Sequence, residues 1–142
     1  MTSRLDILLR IAGTVLLLLA ALHWPISRSL KWRQESLLLS PANAAVFRVH
    51  AVFICLILVL MGLPCIAEPR VFLERTRAGG WLAWTFAAFW TARLYIQWFV
   101  FPRTLWLGKR FETRVHFTCT AIWIFLAVLF LVCGAHQAAW LR

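Results

Sequence analysis

The polar residues that could do chemistry in this chain stand out because they interrupt long apolar stretches. Arg93 lies near the end of one such stretch, and Gln97 follows one helical turn later on the same face. Arginine keeps its proton and only donates hydrogen bonds, so in apolar surroundings Arg93 must reach a polar surface, stack on an aromatic ring such as Trp90, or meet an acceptor. A ligand with an anionic or carbonyl group would supply that acceptor.

A second set of polar residues recurs at a spacing of four. Glu112, His116 and Thr120 are each one helical turn apart, so a helix would place them on roughly one face. A carboxylate one turn from a histidine can hold the imidazole in one tautomer. The alternative is a solvated Glu–His pair at the mouth of a helix.

Two further histidines could join this set. His50 lies two residues after Arg48, so the two side chains point about 200° apart on a helix and only one can face inward. We assign the inward position to His50 and leave Arg48 to reach outward. His23 ends the first apolar stretch, where it could also be an interfacial histidine.

Three kinds of ligand suit these residues. The first is an amphiphile with an anionic or carbonyl head, for which the donors would be Arg93, Gln97, Lys109 and Arg110. The second is haem b held by two axial imidazoles, with His50 and His116 as the ligands. The third is a metal ion, with ligands drawn from His23, His50, His116 and a carboxylate, Glu112 or Glu35. The histidines lack the close helical spacing of a metal-binding pair, so the sequence favours the amphiphile. Haem and a metal ion remain as alternatives.

The elements that must position these residues are membrane helices. The 142 residues are 63% apolar and only 14% charged, whereas soluble domains are about half apolar and a quarter charged. A bilayer is crossed by roughly 20 apolar residues in a helix. The sequence predicts four such helices, at residues 5–24, 41–65, 81–101 and 112–135, in an all-α four-helix bundle that makes residues 1–142 one transmembrane domain.

The helix ends are also marked. Ser40 followed by Pro41 predicts an N-cap and first helical position. The first segment resembles a signal peptide, but its end, residues 20–24, is a poor cleavage site, so we expect a retained helix that stops before Pro25.

Four crossings bring the polar residues toward one membrane face. Both termini would lie on one side, and the loops at residues 25–40 and 102–111 on the other. The polar groups of all four helices fall toward those loops: His23, His50, Arg93, Gln97, Glu112 and His116. The sequence therefore predicts a polar cavity at the end formed by the first and third loops.

The charge points to lipid as a partner. Fifteen Lys and Arg against five acids give a net charge of +10, but the bases lie in short loops and form no continuous basic face, so nucleic acid is excluded as a partner. Anionic headgroups are the expected partner. The small excess of bases in the first and third loops favours a cytoplasmic location for these loops.

Two stretches carry a resemblance, residues 90–99 (WTARLYIQWF) and residues 105–116 (LWLGKRFETRVH). They resemble a group of small bacterial four-helix membrane proteins with no assigned activity. This implies a bacterial inner-membrane location and a fold type. We expect a small accessory or structural subunit that binds lipid, polyprenyl phosphate or quinone and contacts other membrane subunits. The alternative is a membrane redox or lipid-modifying enzyme that uses the histidines.

Overall fold

A computed structural model describes residues 2–138 of the chain, and in this part all regular structure is helical. The prediction of an all-α protein is confirmed. The α-helices are α1 (Thr2–Ser29), α2 (Trp32–Glu35), α3 (Pro41–Ala67), α4 (Arg77–Tyr95) and α5 (Arg110–Ala138). Short 3-10 turns cover Ser36–Leu38, Pro69–Phe72 and Arg103–Leu105, and a π-helix, Ile96–Val100, continues α4.

Three of these helices are long and apolar enough to cross a membrane: α1, α3 and α5. The third predicted crossing is helical, but α4 is not among these three. It has 19 residues, and its glycines, threonines, tryptophans and arginines lower its hydropathy. Three candidate membrane-spanning helices are therefore observed where the sequence pattern predicts four.

The surfaces of these helices also fit a membrane. On α3, Val52, Phe53 and Leu60 are 66%, 57% and 59% exposed. Soluble proteins rarely expose large contiguous apolar surface, whereas lipid chains solvate such side chains well. Length, apolar composition and exposed apolar surface together indicate a membrane protein.

Two of the observed helix ends extend beyond the predicted ones by at least one turn. α1 passes through Pro25 and continues to Ser29, because a proline removes only one backbone donor and membrane helices tolerate that loss. α4 begins at Arg77, one turn before the predicted start, because the Thr76 hydroxyl accepts a hydrogen bond from the Gly79 amide at 3.0 Å. The predicted N-cap of α3 is confirmed: Ser40 accepts from the Asn43 amide at 3.4 Å.

The chain divides into two compact units. The α1–α3 unit comprises residues 9–69, and in it α1 and α3 run antiparallel. Their contact is close at two glycines: a Cβ on Gly13 would lie 2.6 Å from the Gly62 carbonyl oxygen. Small residues let membrane helices approach in this way. The Arg10 guanidinium donates to the Ile66 carbonyl at 2.8 Å near the same end.

The α4–α5 unit comprises residues 2–8 and 70–138 of the described chain. In it α4 and α5 form an antiparallel pair, joined by the turn that contains Gly108, whose φ is +80°. Phe72, Phe86 and Phe130 pack together with ring centroids 5.0–5.5 Å apart. One level further along, Trp90 stacks on Trp123 at 5.1 Å. These aromatic layers set the axial register between α4 and α5.

Candidate functional site

A chain of hydrogen bonds joins Arg93, Gln97 and His116 in the α4–α5 unit. The Arg93 guanidinium donates to Gln97 Oε1 at 3.0 Å, and Gln97 Nε2 lies 2.8 Å from His116 Nδ1. Gln97 is the most enclosed of the three, at 6% exposure. The structure thus brings together three of the residues predicted to bind a ligand. We call these three residues the Arg93 network.

The direction of each hydrogen bond in the Arg93 network follows from donor chemistry. Arg93 can only donate, so the Gln97 oxygen accepts from it and the Gln97 NH₂ group turns to His116. Because an amide NH₂ only donates, His116 Nδ1 must accept. A neutral imidazole with its proton on Nε2 satisfies this arrangement, whereas an imidazolium would place two donors face to face.

The π-helix positions Gln97 for this role. In Ile96–Val100 the turn widens, and the Phe101 amide donates to the Ile96 carbonyl at 3.3 Å, a five-residue step. Gln97 is buried while its neighbours Ile96 and Trp98 are 39% and 52% exposed. Single π-turns of this kind often occur at functional sites, because they turn a side chain away from its regular helical direction.

Arg93 is surrounded by aromatic rings. Its guanidinium carbon lies 5.0 Å from the Trp123 ring centroid and 5.5 Å from that of Phe101. The sequence predicts a stacking partner such as Trp90, and the observed one is Trp123, which itself stacks on Trp90. No carboxylate within residues 2–138 forms an ion pair with Arg93, so one hydrogen bond to Gln97 serves a side chain with five N–H donors.

His116 is held on its other side by Trp106. The two rings stack with centroids 3.9 Å apart and 13° between their planes. Trp106 reaches this position because the turn before α5 folds back: the Thr113 hydroxyl lies 2.7 Å from both the Trp106 and the Lys109 carbonyl oxygens. The Gln97 amide and the Trp106 ring therefore hold the imidazole in one orientation.

Glu112, which the four-residue spacing offered as a partner for His116, forms no hydrogen bond with it in the described part of the chain. Glu112 is exposed in the first turn of α5, and Gln97 occupies the hydrogen-bonding position beside His116. Lys109 and Arg110 are also exposed, one before and one at the start of α5. They stand about two turns from His116 and add positive charge at this end of the helix.

His23 and His50 belong to the α1–α3 unit. His23 Nδ1 bonds the Leu19 carbonyl at 2.7 Å, and His50 Nδ1 bonds the Val46 carbonyl at 2.9 Å. Each imidazole thus donates to its own helix, and His50 is exposed. In the described part of the chain, no three His, Cys, Asp or Glu side chains are grouped so that they could hold a metal ion.

Buried polar atoms without partners occur beside the Arg93 network. The indole N–H groups of Trp90 and Trp123 and the hydroxyl of Thr120 are buried and form no hydrogen bond within residues 2–138. Trp123 contacts Arg93 directly, and Thr120 lies one turn before Trp123. Together with Arg93 and the Nε2–H of His116, these atoms form a set of polar groups dominated by unused donors.

Sequence reasoning missed the aromatic part of this site. In the sequence, Trp106 looks like an ordinary interfacial tryptophan and Trp123 like an ordinary core tryptophan. No sequence pattern therefore indicated their contacts with His116 and Arg93. No sequence pattern set the π-helix, Ile96–Val100, apart from the helix before it. Only the four-residue spacing of Arg93 and Gln97 indicated a contact in advance.

The fold and the site define an all-helical membrane protein with a donor-rich polar network between α4 and α5. Comparison of the chain with protein-family models, curated proteins and solved structures finds no match.

Proposed function

We propose that this chain is a small accessory subunit of a bacterial inner membrane that binds an amphiphile through the Arg93 network. The ligand has an anionic or carbonyl head, as in a lipid, a polyprenyl phosphate or a quinone. The observation that carries the proposal is the charge of Arg93, which within residues 2–138 has aromatic rings and an amide oxygen as neighbours but no carboxylate.

The donor pattern supports an acceptor-rich head. Gln97 uses its oxygen for Arg93 and its NH₂ group for His116, so the guanidinium and the His116 Nε2–H have donors left for a ligand. Charge-assisted hydrogen bonds to phosphate or carboxylate are the strongest that such groups form. Lys109 and Arg110, exposed at the start of α5, would add attraction for an anionic head.

The surroundings of the Arg93 network support an apolar tail. Tyr95, Trp98 and Phe99 are 60%, 52% and 69% exposed on the segment that carries Gln97. Rings of this size offer acyl or prenyl chains extensive apolar contact. A polar head at Arg93 and a tail along these rings would match the two chemical parts of an amphiphile.

The proposal places α4 across the membrane as a fourth spanning helix. α4 has 19 residues and the π-helix that continues it has 5, a length of roughly 34 Å against an apolar bilayer core of about 30 Å. Its pairing with α5 along the Phe86–Phe130 and Trp90–Trp123 layers supports this placement. Arg93 would then lie inside the bilayer, where ionisable residues commonly serve a function.

The use of the polar atoms supports an accessory role over a catalytic one. Gln97 and Trp106 immobilise His116, which suits recognition. The exposed apolar face of α3 offers a surface for lipid or for another membrane subunit.

The test is to purify the full chain in mild detergent and to identify bound amphiphiles by native mass spectrometry. Arg93→Leu and His116→Ala should each lower the bound fraction at least tenfold, because each removes donors to the head. His136→Ala, in the last turn of α5, is the matched histidine control and should bind normally. Equal losses in all three variants, at comparable expression, would refute the proposed site.

A further inference from the structure

A cavity of about 640 Å³ opens at the other end of the α4–α5 pair. It lies at the beginning of α4, and its walls include Arg77, Gly80, Trp81, Trp84 and Gln137. This volume is typical of a small-molecule site.

Gln137 supplies a buried acceptor in the wall of the cavity. The side chain is only 4% exposed. Its Nε2 donates to the carbonyls of Val71 and Phe72 at 3.4 and 2.9 Å, which fixes the orientation of the amide. Its Oε1 is buried and has no hydrogen-bond partner in the described part of the chain. A buried acceptor without a donor is uncommon in native proteins, so this oxygen points to a missing partner.

The two glycines that open α4 allow this amide to come close to the helix. Gln137 Oε1 lies 3.0 Å from the place that a Cβ on Gly79 would take and 3.7 Å from that of Gly80. The unpartnered oxygen is therefore located at the first turn of α4.

Donors are also left over at this first turn. The Gly79 and Gly80 amides bond to Thr76. The amides of Arg77 and Ala78 have no acceptor among residues 2–138. Helix N-termini with free amides attract phosphate and other anions, and the exposed guanidinium of Arg77 strengthens that attraction.

A ligand for this cavity must therefore carry an anion for the helix start and a donor for Gln137 Oε1. We propose that the cavity binds the headgroup of a phosphatidylglycerol-type lipid, whose phosphodiester meets Arg77 and the helix N-terminus and whose glycerol hydroxyl donates to Gln137. Trp81 and Trp84, 77% and 44% exposed, favour a lipid over a soluble phosphate, because tryptophan concentrates at the membrane interface. This site is separate from the Arg93 network and does not depend on it.

The test titrates the full chain in mild detergent with phosphatidylglycerol or phosphatidylcholine of equal acyl length, and counts bound lipid by native mass spectrometry. Phosphatidylcholine has the phosphodiester but no N–H or O–H donor, so it should bind at least tenfold more weakly. Arg77→Gln should weaken phosphatidylglycerol binding about tenfold, by loss of one charge-assisted contact. Arg70→Gln makes the same charge change in the same loop, away from the cavity, and should have no effect.

A second variant examines the donor contact. Gln137→Leu removes Oε1 and should abolish the preference for phosphatidylglycerol over phosphatidylcholine. Because Gln137→Leu also removes the bonds to Val71 and Phe72, the helicity of this variant is measured in parallel. If Gln137→Leu does not fold, the proposal is tested by Arg77→Gln.

Four results would overturn the proposal. The first two are equal weakening of phosphatidylglycerol binding by Arg77→Gln and Arg70→Gln, and equal binding of phosphatidylglycerol and phosphatidylcholine. The other two are equal occupancy of the cavity by glycerol 1-phosphate, which has no acyl chains, and loss of phosphatidylglycerol binding in Arg93→Leu. Phosphatidylglycerol binding that persists in Arg93→Leu separates this site from the Arg93 network, so either proposal can fail without the other.

Discussion

Replacing Gln97 tests the hydrogen-bond network at its centre. Gln97→Leu keeps a side chain of similar size but removes both the 3.0 Å bond from Arg93 and the 2.8 Å bond to His116. One donor and one acceptor then lose their partners. Each unmade bond of a buried group costs about 1–3 kcal/mol, and the lower part of that range applies because both partners are only partly buried. We expect a loss of about 2–4 kcal/mol in the free energy of unfolding.

The variant Gln97→Glu keeps the side-chain packing at this position but changes which group donates in the hydrogen bond with His116. A carboxylate can accept from Arg93 and can also accept from His116, provided that Nδ1 carries a proton. We therefore expect Gln97→Glu to keep most of the stability while His116 changes from the Nε2–H form to a form protonated on Nδ1. The Gln97→Leu variant provides the matched control in which neither bond exists.

Two measurements check these expectations. Unfolding in mixed detergent, followed by circular dichroism, gives the stability of the three proteins. Nitrogen-15 NMR of labelled histidine, with His116→Ala used for assignment, gives the protonated ring nitrogen. A loss below about 1 kcal/mol in Gln97→Leu would refute the stabilising role of the two bonds. A proton on Nδ1 of His116 in the unaltered protein would refute their deduced direction.

The remaining predictions concern glycines at close helix contacts. Gly79→Ala should destabilise the fold by more than about 3 kcal/mol, because its Cβ would overlap the Val71 carbonyl oxygen. Gly80→Ala, where the nearest atom is 3.7 Å away, should be neutral or stabilising by up to about 1 kcal/mol; thermal unfolding that ranks the two variants equally would contradict the packing described. Gly13→Ala should lower the melting temperature more than Gly62→Ala, since its closest contacts are 2.6 Å rather than 3.0 Å; an unchanged melting temperature in both variants would show that α1 and α3 do not meet there.

Helix placement could be predicted from the sequence because it depends on local properties. Apolar runs, the cap at Ser40 and the four-residue spacing of Arg93 and Gln97 are visible in the chain itself, and the structure contains a helix at each predicted segment. The prediction failed locally at Pro25, where the helix continues. The pattern also predicted four membrane-spanning helices where three are observed, because tryptophan and glycine in α4 lower its hydropathy without interrupting the helix.

The partners across helices were decided by the tertiary structure. The four-residue spacing allowed His116 to bond Glu112 on its own helix or to remain solvated with it, but the aromatic layers set an axial register that brings Gln97 beside it, and the π-turn buries that amide. The cavity at Gln137 depends on two glycines far away in sequence. Spacing along one helix determines which residues share a face, while contacts between helices depend on register, turn geometry and side-chain volume, which no single stretch of sequence contains.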